Sequence, residues 1–311
     1  MTQRNFTMLD KDLLQATAKK YGFNNVEFVN KDYYSVQVLK IVSQIKSDYC
    51  DLVFTGGTCM AKAYNLIERM SEDIDIKISL KDHSASTSSI RKNLSDIKKR
   101  LKAEFLQSFP QLKDENVKAD HDNRHMVFEI PYPMASAELI LRGNVKLELT
   151  QFPVRLKPIS KSVSSLVAIE QKERPEVESV LCVQPIEILS EKIVSLVRRT
   201  CASIEKKKKY FDPTIIRHVY DIYKICKSVD LNKLKPLVKE VSEQDARDFK
   251  TWHPSWSANP KENTQIALEE LKKPQFEELY TQYTESMIYG KNYPKYKQAL
   301  KEVSKIILDV F

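Results

Sequence analysis

Asp73 and Asp75 stand two residues apart in a stretch where Ile74, Ile76 and Ile78 alternate with Asp73, Asp75 and Lys77. That period is the period of a half-buried strand, so both carboxylates share one sheet face. Two like charges side by side repel unless a cation lies between them. An all-oxygen pair suits Mg²⁺, or Mn²⁺, with waters and substrate phosphates completing the shell. Upstream, Gly56-Gly57-Thr58 closes the apolar run 51–55 and opens a helix. Helix N-terminal amides attract anions, and glycine lets a phosphate approach the main chain. The other reading of that turn is a tight strand–helix junction with a Thr N-cap. Glu148, in the alternating run Val145-Lys146-Leu147-Glu148-Leu149, is a third candidate carboxylate and metal ligand, or one more charge on an exposed face.

These groups need elements to hold them. The first 50 residues read as two helices, one capped by Asp10 and ending near Gly22, the other capped by Asn30 with Tyr34, Val38, Ile41, Val42 and Ile45 on its apolar face. A short strand over 51–55 follows, then a helix from Thr58 to about Met70, a strand over 71–80 and a charged helix over 88–109. Two more strands are expected near 125–131 and 144–152. From about 185 onward the pattern is helical, over 186–200, 214–228, 231–241, 263–272, 275–289 and 294–310. Pro158 and Pro175 lie in the stretch between the halves. The fold class expected is α+β, with a small mixed sheet behind N-terminal helices and an all-helical C-terminal part. The length suits two domains, 1–180 and 181–311.

Composition removes several alternatives. Only 5 of 311 residues are Gly, so neither a dinucleotide fingerprint nor a P-loop can be written. No apolar run is long enough to span a bilayer, and the N-terminus has no secretory pattern. Five cysteines at irregular spacings, with no Cys-x-x-Cys, point to free thiols and a cytoplasmic setting. Net charge is +8, and residues 192–224 carry nine Lys/Arg against three Asp/Glu. Such a concentration suits an anionic partner, an RNA backbone or a triphosphate, and equally a solvated helix face. The Lys206–Lys209 run alone reads as the latter. His121 and His125 have the i, i+4 spacing of a metal pair, but residues 120–124 read as a polar loop instead, His83 is expected to be exposed, and the Trp252–Trp256 segment is either a hydrophobic plug or a base-stacking loop.

A Gly-Gly-Thr turn, a helix, then Asp-x-Asp on the next strand resembles the nucleotidyltransferase superfamily with the DNA polymerase β-like fold. The fuller string from Phe54-Thr55-Gly56-Gly57-Thr58 through Lys62 to Ser71-Glu72-Asp73-Ile74-Asp75 resembles the AbiEii/AbiGii toxin family, with its MenT members. Lys31-Asp32-Tyr33 resembles the family's Glu-Lys-Asp helix, with Asn30 in place of the Glu. The segment Pro185-Ile186-Glu187-Ile188-Leu189-Ser190-Glu191-Lys192 resembles the one holding the family's essential lysine, which maps onto Lys192. Arg217-His218-Val219-Tyr220-Asp221 resembles its Arg-His-x-Tyr-Asp helix, whose functional Asp maps onto Asp221. The resemblance covers residues 30 to 225.

The resemblance implies a Mg²⁺-dependent nucleotidyltransferase moving NMP from an NTP to an acceptor hydroxyl in RNA, expected at the 3′ end of a tRNA. It also implies a role as the toxin of a type IV-like toxin–antitoxin or phage-abortive system, with an antitoxin partner. Asp73, Asp75, Lys192 and Asp221 are then catalytic, with Lys192 and Asp221 contributed to the cleft by the C-terminal domain. Gly56, Gly57, Thr58, Lys62 and Arg217 bind nucleotide, and Asp73, Asp75 and Glu148 bind metal. Asp221 is expected to pair with Arg217, four residues earlier on one helix face, or with Lys192. Two alternatives stay open: a protein or small-molecule acceptor, and an inactive RNA- or protein-binding module.

Overall fold

The computed structural model describes residues 9–82, 84–135, 141–205, 212–290 and 292–311. His83 and the Lys206–Lys209 run lie outside them. The chain divides into two units, Met1–Asn65 with Met70–Val183, and Leu66–Arg69 with Gln184–Phe311.

In the first unit, α1 (Lys11–Tyr21) is capped by Asp10 and closed by Gly22 in the left-handed region at φ 76°. Next, α2 (Glu27–Gln44) starts three residues earlier than Asn30. It is buried on nearly all sides, from Val29 and Tyr34 to Ile41 and Val42. Accordingly it packs on both helices and strands of the unit. The chain continues through β1 (Cys50–Thr55), α3 (Gly56–Lys62), β2 (Asp73–Leu80), α4 (Thr87–Ser108), β3 (Val117–Asp120), β4 (His125–Pro131) and β5 (Asn144–Gln151). It ends with β6 (Ile159–Val163), α5 (Leu166–Glu170) and β7 (Val177–Cys182).

The seven strands form one mixed sheet in the order β3-β4-β5-β2-β1-β7-β6. β1 runs antiparallel to β2, β2 parallel to β5, and β1 parallel to β7. Ile74, Ile76 and Ile78 are buried, each contributing roughly 1.5–3 kcal/mol relative to exposure. A one-residue slip of β2 would exchange them for Asp73 and Asp75, so the register is strongly fixed.

Two expectations change here. The stretch between the halves is not a linker but β6, α5 and β7. Its strands escape notice because Ser160, Lys161 and Ser162 give β6 an exposed, polar text. The helix after Gly56-Gly57 ends at Lys62 rather than near Met70. Ala63 and Tyr64 both donate to the Cys59 carbonyl, and Asn65 takes φ 54°. That left-handed residue stops the helix.

The second unit is helical: α6 (Pro185–Glu205), α7 (Ile216–Ile225), α8 (Leu234–Asp248), α9 (Pro254–Ala258), α10 (Pro260–Glu270), α11 (Pro274–Met287) and α12 (Tyr296–Val310). α6 packs on α7, α8, α9 and α10, and α12 on α7 and α8. Trp256 is fully buried, with its indole N–H on Asp245 at 2.7 Å. It plugs the bundle, while Trp252 is exposed. Residues Leu66–Arg69 join this unit as an extended piece. Arg69 makes an isolated antiparallel bridge with Ile288, and the Glu68 carbonyl accepts from the Tyr289 and Gly290 amides. Among the described residues no helix is long and apolar enough to cross a membrane.

Candidate active site

At the end of β1, Thr55 lies opposite Asp75 in register, and on the far side of β2 Asp75 lies opposite Glu148. The pleat therefore places Asp73, Asp75, Lys146 and Glu148 on one face of the sheet. Gly56 takes φ 76°. A Cβ added there would sit 2.1 Å from Asp75 Oδ2, so the turn lies directly against a carboxylate. Thr58 is buried in α3, and its hydroxyl donates to the main-chain carbonyl of Asp73. It thereby fixes the start of β2 to the turn.

Cations surround these acids. Lys146 donates to Glu148, and His125 Nε2 lies 3.3 Å from Glu148 Oε1. Burial alone would raise the Glu148 carboxyl, but Lys146 and His125 together bring it below its ordinary value. Glu148, expected as a third metal ligand, is thus beside the pair yet engaged by two basic groups. Lys62, expected to reach phosphate, has its ammonium 2.6 Å from Oδ1 of the buried Asp32. Asp32 also accepts the Leu166 amide at 2.7 Å. Lys62 therefore pins α3 to α2 and α5. The neighbouring Lys31, fully buried, donates to Glu72 Oε2 and to the Arg142 carbonyl, both at 2.9 Å.

Asp73 Oδ1 is buried and accepts no hydrogen bond. Arg142 Nη2 lies 3.2 Å from it, close enough for charge attraction but out of hydrogen-bond alignment. A buried carboxylate oxygen left in this state fits an oxygen-seeking cation. Among the described residues no three His, Cys, Asp or Glu side chains are arranged to hold an ion. Asp73 and Asp75 present two carboxylates on one sheet face, and Mg²⁺ typically takes one or two from protein when phosphates and water supply the rest.

In the second unit Asp221 is fully buried. It accepts from Arg69 Nε and Nη2 at 2.7 Å each, and from Lys192 Nζ at 2.7 Å. Burial opposes its charge, but Arg69 and Lys192 hold the carboxyl well below the usual carboxylate range. The expected partner Lys192 is present. Arg217, the alternative partner, instead lies over the Tyr283 ring at 5.9 Å. Arg69 takes the place proposed for it by making a bidentate fork, the geometry guanidinium favours with carboxylate. His218 Nε2 accepts from Arg199 Nη1 at 2.8 Å, which leaves the proton on Nδ1, a buried atom with no partner. Burial, with the nearby Lys192 and Arg199 charges, pushes this imidazole well below its ordinary pKa.

Sequence reasoning gave no role to Arg69, Glu72, Arg142 or Lys146, and it set His125 aside as a metal ligand. Arg69 and Glu72 do stand inside the motif string, and Glu72 directly precedes Asp73. A charged residue flanking the Asp-x-Asp strand is the signal that could have drawn attention to them.

A sequence profile for the nucleotidyl transferase AbiEii toxin family, of type IV toxin–antitoxin systems, matches residues 41–302. Among solved structures, MenT4, a nucleotidyltransferase toxin from Mycobacterium tuberculosis H37Rv, superposes with a TM-score of 0.53 at 16% identity. The match covers 96% of this chain and 98% of that one, and at that identity it establishes the shared fold. No curated protein matches the chain significantly. The profile match spans most of the sequence and takes in both the Gly-Gly turn and the Asp-x-Asp strand, and on that ground the chain belongs to the AbiEii family of nucleotidyltransferase toxins.

Proposed function

We propose that the protein transfers a nucleoside monophosphate from an NTP to a hydroxyl of RNA, the 3′ end of a tRNA, releasing pyrophosphate in a Mg²⁺-dependent reaction. Family membership supplies NTP as the substrate class and an antitoxin as the partner class. One observation supports the metal-dependent chemistry: the buried Oδ1 of Asp73, which accepts no hydrogen bond, beside Asp75, with Gly56 packed against the latter.

In this reading Asp73 and Asp75 hold the metal, which when bound neutralises phosphate charge and activates the attacking oxygen. The first amides of α3, at Gly56 and Gly57, have no intrahelical acceptor and face the phosphates. Thr58 keeps Asp73 in register with that turn. Lys192 has the role that the family resemblance gives it, a positive charge for the triphosphate, and Asp221 with Arg69 sets the position of its ammonium. Phosphoryl transfer relies on positioning and charge stabilisation, so no Ser or Cys nucleophile is required. All five cysteines are free and buried, consistent with packing roles.

The test is to incubate the full chain with each α-labelled NTP, Mg²⁺ and total small RNA, and to sequence RNA 3′ ends. Label on tRNA 3′ ends is expected, and Asp73→Asn and Asp75→Asn should abolish it. Label on protein, or full transfer by Asp75→Asn, would overturn the reading.

A further inference from the structure

Arg142 combines a clamped main chain with an uncommitted side chain. Its carbonyl accepts from the buried Lys31 ammonium at 2.9 Å, and its amide donates to Glu72 Oε2 at 3.3 Å. Lys31 and Glu72 also pair with each other at 2.9 Å. The pair is an internal fastener, and each of its members also bonds the Arg142 backbone. Glu72 immediately precedes Asp73, so one fastener fixes the metal-binding strand and Arg142 together.

The guanidinium, by contrast, is about half exposed, at 51%. It stands 3.2 Å from Asp73 Oδ1 without hydrogen-bond alignment, and its Nε is 3.9 Å from Glu72 Oε2. An arginine has five donors and binds phosphate by a bidentate fork. Fixing the backbone of such a residue beside two carboxylates, while leaving the fork unaligned with either, reserves its donors for an incoming oxyanion. A purely structural arginine would instead spend them on neighbouring acceptors, as Arg69 does on Asp221.

We propose that Arg142 is a substrate-phosphate-binding residue of the active site, positioned by the buried Lys31–Glu72 pair. This rests on the transferase reading above. The phosphate belongs either to the NTP or to the RNA backbone near its 3′ end, and the chemistry of recognition is the same.

The experiment compares wild type, Arg142→Ala and Arg142→Lys as full chains. Equilibrium dialysis in Mg²⁺ measures binding of each labelled NTP and of labelled total tRNA, alongside transfer kinetics. Loss of a charge-assisted contact should weaken one probe roughly 10- to 100-fold in Arg142→Ala. Arg142→Lys should recover part of that, because it restores charge but not the fork. The thermal midpoint should not change, since the guanidinium is half exposed. Weakening confined to NTP assigns the contact to the triphosphate, and weakening confined to tRNA assigns it to the acceptor. Wild-type affinity for both probes in Arg142→Ala, with wild-type transfer, overturns this proposal alone. A wild-type chain that neither binds nor transfers NTP overturns the transferase reading and this proposal together.

Discussion

Gly56 and Asp75 are in direct contact, so that a methyl group on Gly56 would lie 2.1 Å from Asp75 Oδ2. The contact couples a left-handed turn to a carboxylate proposed above as a metal ligand, and neither can be changed without moving the other. Gly56→Ala should therefore displace Asp75 and strain the turn at φ 76°. Misplacement of a catalytic group by about 1 Å can lower rate ~10²-fold. Steady-state kinetics should show at least that loss. A Gly22→Ala control, also at positive φ but with open space around it, should leave transfer intact.

Removal of divalent metal should abolish transfer, because two carboxylates alone give the phosphates no positive charge. Several kcal/mol of charge stabilisation correspond to roughly 10³-fold in rate. EDTA titration followed by re-addition of Mg²⁺ checks this. Activity that persists in EDTA would remove Asp73 and Asp75 from the metal role.

Asp221→Asn should destabilise the protein as well as inactivate it. It leaves Arg69 and Lys192 buried without their shared counter-charge, a change that typically costs about 3–5 kcal/mol. Denaturant midpoints measured beside transfer rates separate the two effects. Asp221→Asn with unaltered stability would show that Arg69 and Lys192 have another acceptor.

Lys62→Met leaves Asp32 buried with only the Leu166 amide as partner. The expected result is a loss of about 3 kcal/mol in stability, with the NTP KM within about twofold of wild type. A raised KM at unchanged stability would return Lys62 to phosphate binding.

Stability should fall as pH drops from the ordinary imidazole value of 6.5, in part through His218. Its folded pKa is depressed, so below 6.5 the unfolded chain takes up a proton that the native chain does not, and unfolding is favoured. The slope contributed is at most about 1.4 kcal/mol per pH unit. It is complete once pH passes the lower folded value. His218→Gln, which keeps an acceptor for Arg199, should flatten the profile between pH 6.5 and 5. The depressed carboxylates Glu72, Glu148 and Asp221 act lower, below about 4.5.

The alternation of Ile74, Ile76 and Ile78 with Asp73 and Asp75 was legible because a strand repeats every two residues and one face must be buried. The length of α3 was not, because Met60, Ala63, Tyr64 and Ile67 continue a helical stripe past the point where Asn65 turns. Ile67 is buried, as the stripe suggests, but in an extended segment of the other unit. The Arg69–Asp221 pair spans 152 residues and the Lys31–Glu72 pair 41. No local period connects such partners; only the folded chain does. Similarly, β6 was missed because an edge strand carries little apolar text, and the interior β7 because Glu178 and Ser179 interrupt its apolar residues, whereas the helices after Pro185 announce themselves by long amphipathic runs.

Residues Leu66–Arg69 bring a final consequence for how this protein can be divided. The helical unit takes its Arg69 guanidinium, its Glu68 carbonyl and the bridge to Ile288 from a tetrapeptide encoded more than a hundred residues upstream of its other helices. A gene fragment beginning at Gln184 would be born with Asp221 facing Lys192 alone. The two halves are thus not interchangeable modules. Recombination or truncation at their apparent border would break the helical half from within.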